Sequence, residues 1–492
     1  MKRLIVLLLV GCMLVCMAAC GAQTPAATTA TTVAAPTKPA PTVQVVEGQP
    51  VEQLDDVSVY IPVNGESKAL EGLPAYVYSE GSPVAYRGEK EGRYGLNTHT
   101  FGQTDAAAFI TYLNALENDG WVQYSNNIIE GTNLFATYTK EEKSLYCYYI
   151  STKHTAYVVC SPDQNLEVRE QDNQYEAVCT TQLTQIKLLC KDWTGGMSYL
   201  LRLSDGRFII IDGGYNESDF YHARQLYDLM NEQNVLEKIT VAAWIITHPH
   251  SDHLGTAADF LRLYNSSQVD IQQMIYNFPT EKDIMKFEPE TVTSDNPSFM
   301  PTFLMALDIF WPNMCITVCH TGQRYHFADV TIEVLHTLED YYPETVTGFS
   351  SNKMNGTSLV LSLEVGGQRL MYLGDCAEDE SVDVLAMWGD YLKSDIMQAS
   401  HHGLRGGTTE LYEAIDPEVV LVPNAASYIK KILEFYASRW IWNNGSGRVR
   451  EVILSGWEQR TLELPYTPAE SAPYFATDGD PWAGLAEKYK NP

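Results

Sequence analysis

Apolar positions along the chain follow two different patterns. From residue 57 to 165 they recur in short, tyrosine-rich stretches separated by polar turns. Phe109, Ile110, Leu113 and Leu116 fall at helical spacing, and Asp119 and Gly120 close that helix. Trp121 then opens a run of strands over 122–124, 134–138, 145–150 and 156–159. This pattern predicts a small α+β domain built on an antiparallel meander. From 178 to 465 strands alternate with helices instead. Strands are expected at 199–203, 208–211, 240–247, 331–335, 358–365, 369–373 and 395–399, and helices at 219–232, 256–263, 381–388 and 408–415. Continuous apolar strands with helices between them imply an α/β core covered on both faces. Residues 466–492 remain as a C-terminal tail.

The N-terminus follows neither pattern. Residues 1–20 read MKRLIVLLLVGCMLVCMAAC. Lys2 and Arg3 precede an apolar run that is short for a bilayer span but right for the core of a secretion signal. With Ala18 and Ala19 before Cys20, the segment resembles a bacterial lipoprotein signal, although Met17 stands where that pattern prefers Leu. The resemblance implies a lipid anchor on Cys20 and a place on the extracytoplasmic face of the membrane. Residues 21–56, rich in Ala, Thr and Pro, are expected to form a flexible tether. Seven of the ten cysteines lie beyond the anchor, and no two form a CxxC pair, which excludes a zinc ribbon. Cys147 and Cys160 flank the turn at 151–155 and are candidates for a cross-strand bridge.

Composition narrows the picture further. Of 492 residues, 45% are hydrophobic, which excludes a mainly disordered chain. The formal net charge of −29 argues against a protein that coats nucleic acid, because neutralising phosphates takes clustered Lys and Arg.

Chemistry concentrates at the expected strand ends. Thr247-His248-Pro249-His250-Ser251-Asp252-His253-Leu254-Gly255 follows an apolar strand and holds four potential metal ligands within six residues. His248, His250 and Asp252 share parity in an extended chain, while His253 breaks it. One loop can therefore feed two metal ions. Pro249 stiffens the backbone and limits the entropy lost on ordering the ligands. Three further strands end in the same fashion: 208–211 at Asp212-Gly213-Gly214, 369–373 at Gly374-Asp375, and 395–399 at Ser400-His401-His402-Gly403. Strand C-termini are where α/β proteins build sites.

This set resembles the hydrolase branch of the metallo-β-lactamase superfamily, with its HxHxDH motif. Within it, Asn355-Gly356-Thr357-Ser358-Leu359-Val360-Leu361, Gly374-Asp375 and His401-His402-Gly403 look closest to the hydrolase domain of competence DNA-uptake proteins and to phosphorylcholine esterases. The resemblance covers roughly 181–464. It implies an αββα sandwich with two divalent metals at one edge, zinc first, manganese or iron as alternatives. His248 and His250 would hold one metal, Asp252, His253 and His401 the other, and Asp375 would bridge them. His402 would contact substrate or donate a proton, and Asp252 would belong to the catalytic set. Asp212 would orient a ligand or the loop, and Asn355 would stand near the substrate. His336, at the place of a Leu-His-Pro in relatives, is a candidate for the additional His that the family often carries; His320 and His326 are the others. HHG is followed by Leu404 where Ser is usual.

Two metals sharing a water lower its pKa toward neutrality and stabilise the developing oxyanion. Hydrolysis of a phosphoester or phosphodiester is the leading expectation. The negative charge favours a small or zwitterionic substrate, such as phosphorylcholine on an envelope polymer, over a long polyanion. The alternatives are a nuclease, a lactam or lactone hydrolase, and a non-catalytic envelope binding protein that keeps the fold. GxSxG, P-loop and dinucleotide-binding patterns are absent, which leaves serine hydrolase and NTPase readings unsupported.

Overall fold

A computed structural model describes residues 51–54, 57–59, 72–76, 85–163, 166–189, 195–287, 299–340, 353–443, 445 and 447–468. The expected signal, Cys20, nearly all of the tether, Cys190 and residues 469–492 of the tail lie outside these. The described elements belong to one compact unit that begins at Glu47.

The N-terminal part is a six-stranded antiparallel sheet with one helix. Its strands are β1 (Ala85–Glu91), β2 (Asn97–Gly102), β3 (Val122–Ile129), β4 (Asn133–Lys140), β5 (Lys143–Ile150) and β6 (Thr155–Ser161), in the order β1-β2-β6-β5-β4-β3. Helix α1 (Ala106–Asn118) starts where the Asp105 carboxylate accepts the Ala108 N–H at 2.8 Å. Phe109, Tyr112 and Leu116 of α1 cover one sheet face with Tyr138, Cys147 and Tyr149. Cys147 stands opposite Val158 and Cys160 opposite Leu145. The two cysteines are thus staggered by two residues and are not bonded to each other. The cross-strand bridge does not form.

The rest is a pair of facing sheets between layers of helices. In the first sheet, β7 (Gln182–Gln185), β8 (Tyr199–Arg202), β9 (Phe208–Ile211), β10 (Ile239–Ile245), β11 (Val269–Ile271), β12 (Met274–Tyr276) and β13 (Ile316–Val318) are joined by β21 (Arg460–Glu463). Their order is β13-β12-β10-β9-β8-β7-β21, with β11 also beside β10. The second sheet runs β14 (Arg324–Phe327), β15 (Val330–His336), β16 (Val360–Val365), β17 (Gln368–Tyr372), β18 (Ile396–Gln398), β19 (Val419–Val422) and β20 (Glu451–Leu454), in chain order across the sheet.

Period-two alternation sorts each strand's side chains between layers. Ile209 and Ile211 face the second sheet, meeting Val334, Leu361 and Leu370 in the central core. Phe208 and Ile210 face outward, toward α2 (Tyr221–Gln233) and α3 (Ser251–Leu263). On the far side, Met371 and Val420 pack under α6 (Glu378–Trp388), α7 (Thr409–Ile415) and α9 (Tyr436–Trp442). Between α3 and α6 the chain also forms α4 (Glu281–Phe287) and α5 (Phe299–Phe310), and between α7 and α9 the short α8 (Ile429–Ile432). The layering is α-β-β-α, an α/β fold. β9 and β10 are parallel, as are β17 and β18, so their C-terminal ends share one edge.

The N-terminal sheet docks on this body through its second face. Phe135, Tyr146, Tyr148 and Tyr157 join the core beneath α6. Gly322 has a left-handed φ of 87°, and any Cβ there would overlap the Phe135 ring. Polar groups complete the contact. Lys153 Nζ lies 2.6 Å from Asp383 Oδ2, the Tyr148 hydroxyl donates to Asp340 Oδ1 at 3.1 Å, and Asn127 Nδ2 donates to Glu333 Oε1 at 2.8 Å. His336 belongs to this network and not to the strand-end edge. Its Nδ1 is 3.0 Å from Glu380 Oε1 and its Nε2 is 3.6 Å from Asp383 Oδ2. The expectation of a metal or substrate contact for His336 is therefore corrected. β15 carries it beneath α6, where acidic side chains surround it.

Burial alone would lower the His336 pKa, but the Glu380 carboxylate and the contact to Asp383 raise it to about 10. A histidine raised above its unfolded value of about 6.5 stabilises fully below that value and loses its contribution as pH rises toward about 10. The thermal midpoint should fall by several degrees across that window. His336→Gln should lower the midpoint at pH 6.5 and flatten the fall. Parallel curves for wild type and variant, followed by circular dichroism, would contradict this.

Candidate metal centre

Four loops converge at the shared edge. The loop after β10 carries His248 and His250 and runs into α3, whose first turn holds Asp252 and His253. The loop after β17 carries Asp375, and the turn after β18 carries His401 and His402. The loop after β9 begins at Asp212. Side-chain atoms of Asp252, His253, Asp375 and His402 all lie within 4.8 Å of one another, and those of His248, His250 and Asp375 form a second such group. Asp375 belongs to both.

The contacts are close and mostly buried. His253 Nε2 is 3.2 Å from Asp375 Oδ1, and His402 Nε2 is 3.1 Å from Asp252 Oδ2 and 3.5 Å from Asp375 Oδ2. On the other side, His248 Nε2 is 3.8 Å from Asp375 Oδ2 and 3.0 Å from His250 Nδ1. His248, His253, Asp375 and His402 are buried. His253 Nε2 and Asp375 Oδ1 make no well-formed hydrogen bond among the described residues. Orphaned buried donors and acceptors of this kind fit divalent cations, which would satisfy the lone pairs that protein groups leave open.

Neighbouring groups fix the rings. The Asp212 carboxylate accepts the Thr247 N–H at 2.7 Å and the Thr247 hydroxyl at 2.8 Å, and it accepts His253 Nδ1–H at 2.7 Å. His253 Nε2 is thereby turned toward the centre. His402 Nδ1 donates to the Pro423 carbonyl at 3.1 Å, which presents its Nε2 in the same way. Gln398 links two of the loops: its Oε1 accepts the Leu373 N–H and its Nε2 donates to the Gly374 carbonyl.

The electrostatics follow from this crowding. Burial would raise Asp375, but His402, His253 and His401 more than offset it and hold the carboxyl well below its ordinary range. Burial likewise works against the charged forms of His253 and His402. Asp375 and Asp212 lift His253 regardless, and Asp375 and Asp252 lift His402 to about 9. His248 moves the other way, pushed down by burial and then by the charges of His253 and His250.

The structure exchanges the places expected for the two adjacent histidines. His402, expected at the substrate, joins the group with Asp252 and His253. His401, expected as a ligand, stands outside both groups with its Nε2 3.8 Å from Asp375 Oδ2. Its Nδ1 donates to the Arg405 carbonyl, and Asn355 Nδ2 lies 3.3 Å from its Nε2. The cause is the backbone. β18 stops at Gln398, and His401 and His402 both adopt left-handed φ values, 49° and 58°. Motif position alone did not reveal that turn. Asn355 sits beside His401, and Asp212 beside His253. Of the remaining candidates, His320 pairs with Glu339 at 2.5 Å and His326 with Thr331 at 3.1 Å, both outside the two groups.

Residues 192–423 match the model for the metallo-beta-lactamase superfamily. These residues are a metallo-beta-lactamase superfamily domain. The chain is also 22% identical over 181 residues to ComE operon protein 3 of Bacillus subtilis, covering 37% of this chain and 19% of that protein. The chain thus spans about a fifth of the length of the curated relative it matches. Among solved structures, the metallo-beta-lactamase fold protein YhfI of Bacillus subtilis is similar at 12% identity, with a TM-score of 0.32, covering 57% of this chain and 99% of that one. The diiron β-hydroxylase CmlA of Streptomyces venezuelae is similar at 12% identity and a TM-score of 0.33, covering 59% and 55%. Metallo-beta-lactamase domains are in general metal-dependent hydrolases, and the His/Asp groups at this edge suit divalent metals.

Some supporting positions carried no signal in the residue pattern. Gly196 has a φ of 91°, and a Cβ there would overlap the Asp252 carbonyl, to which Met197 N–H donates at 3.1 Å. Close approach of two backbones cannot be read from one chain's residue types. Two outcomes follow. Gly196→Ala should destabilise the fold by at least ~2 kcal/mol, read by denaturant unfolding, because strain and overlap add. His402→Ala should halve the bound metal found by elemental analysis, whereas His401→Ala should leave it intact; the reverse would restore the expected roles.

Proposed function

We propose that the protein is an exported, lipid-anchored, dinuclear metal-dependent hydrolase of phosphoester or phosphodiester bonds. The observation that carries this reading is the sharing of Asp375 between two ligand groups at one edge. His248, His250 and Asp375 would hold one ion, and Asp252, His253, His402 and Asp375 the other. Zinc suits nitrogen-rich, carboxylate-bridged ligation best. When bound, the metal pair acidifies water and neutralises charge that develops on the scissile group.

The chain's own residues do the rest. The group of His248 and His250 contains no third histidine, since His336 lies beneath α6, and this leaves room there for a substrate oxygen. Asp212 and the Pro423 carbonyl hold the rings of His253 and His402, so the centre reorganises little during the reaction. His401 takes the role first expected of His402. Its Nδ1–H is fixed on the Arg405 carbonyl and its partly exposed ring places Nε2 beside Asn355, from which it can hold a proton for the leaving group. The charge of −29 supports a small or zwitterionic substrate over a long polyanion. The lipoprotein-like N-terminus supports an extracytoplasmic, membrane-anchored location.

The test compares turnover of bis(4-nitrophenyl) phosphate, 4-nitrophenyl phosphorylcholine, short DNA and a chromogenic β-lactam, with and without chelator. The phosphoesters should lead, and chelation should abolish turnover until metal is restored. DNA cleavage outpacing both small esters would favour the nuclease reading. Asp375→Ala should remove metal and at least ~1,000-fold of the activity together. His401→Ala should lower kcat at unchanged metal content.

A further inference from the structure

One buried histidine outside the metal centre is held in a single protonation state by its two partners. His222, in the first turn of α2, is 2% exposed. Its Nδ1 lies 2.6 Å from the Tyr215 carbonyl, which can only accept, so the proton sits on Nδ1. Its Nε2 accepts the Leu189 N–H at 3.0 Å, so that nitrogen must be bare. The ring is therefore a neutral imidazole. A second proton would set N–H against N–H at Leu189.

These bonds join segments that meet at the metal edge. Residues 186–189 and 195–198 are the two arms of the connection between β7 and β8, and the Ile186 N–H donates to the Ser198 carbonyl across them at 3.1 Å. On one arm, Leu188 fills the space beside Gly214, where a Cβ would lie 2.2 Å from Leu188 Cδ1. On the other, the Gly195 carbonyl accepts the Tyr215 N–H at 3.0 Å, and the Met197 N–H reaches the Asp252 carbonyl. The Tyr215 carbonyl also accepts the Thr256 hydroxyl of α3 at 2.8 Å. From α2, Gln225 Nε2 adds an exposed bond to the Lys187 carbonyl at 2.8 Å. His222 supplies the buried tie.

The surroundings favour the neutral ring. Burial pushes the His222 pKa below its ordinary value, with the Tyr215 bond and Glu217 working the other way. Glu217 comes from the same loop as Tyr215, the Tyr221 ring stands edge-on at 5.8 Å, and the Lys187 ammonium turns away onto the Trp457 carbonyl. The neutral form thus holds near neutrality and is lost on acidification. We propose that His222 is a positioning residue that latches the β7–β8 arms to the Asp212 loop while neutral and releases Leu189 when protonated. Any effect on turnover rests on the hydrolase reading; the latch itself does not.

Amide exchange resolved to Leu189, on the full-length protein without substrate, tests the latch independently of that reading. In wild type, Leu189 protection, corrected for chemical exchange, should fall at least about tenfold between about pH 7 and about pH 4.5, while Ile210 in β9 stays protected. His222→Gln keeps an acceptor near the Nε2 place without a titrating group, so it should protect Leu189 equally at both pH values. His222→Asn keeps only the donor to Tyr215 and should leave Leu189 unprotected at both. Unchanged wild-type protection on acidification, a matching loss at Ile210, or the same acid loss in His222→Gln would overturn the proposal.

Discussion

A carboxylate removed from water must be met by opposite charge or by a cation, and Asp375 imposes that requirement on the whole edge. Its two oxygens face three imidazoles from two loops, His248 and His253 from the loop that runs into α3 and His402 from the turn after β18. None of these rings can move alone. Asp212 grips His253 and Thr247 together, and Gln398 ties the Asp375 loop to the turn that carries His402. The parallel pairs β9–β10 and β17–β18 exist at the right register to bring those loops to one place. The apolar interleaving of the two sheets is in this sense the support for one buried acid.

Much of this was legible in the residues, for physical reasons that can be named. Uninterrupted apolar runs such as Phe208–Ile211 admit few positions other than a strand covered on both faces. Four such runs ending in Asp or His mark an edge. What could not be read was conformation beyond regular structure. The exchange of His401 and His402 depends on consecutive left-handed residues, which no periodicity encodes. His336 misled because a strand end is a necessary condition for reaching the edge and not a sufficient one. β15 delivers it to a place decided by α6 and by a lysine from another sheet.

The ionic network around His336 also differs in kind from the metal centre. Both bury histidines among carboxylates. In the network, Lys153 supplies a balancing cation beside Asp383, and Glu380, raised by burial, is partly offset by His336. At the edge, no lysine or arginine lies in the two groups, and the carboxylates there face imidazoles alone. One arrangement carries its own fixed cation, Lys153, and holds two layers together. The other is open to a ligand.

The docking of the N-terminal sheet bears on how the chain reaches its final form. Across the interface, Phe135, Tyr146, Tyr148 and Tyr157 share a core with residues far along the chain, such as Gly322, Trp388 and Leu392. Sheet and partners are thus separated by well over a hundred intervening residues that must themselves fold into a sandwich. In a chain made from its N-terminus, the sheet's aromatic face stays uncovered until the second sheet and α6 exist. Closing contacts of such long separation is slow. The sheet is therefore the part of the protein that waits, and its aromatic face is where premature association between unfinished chains would begin.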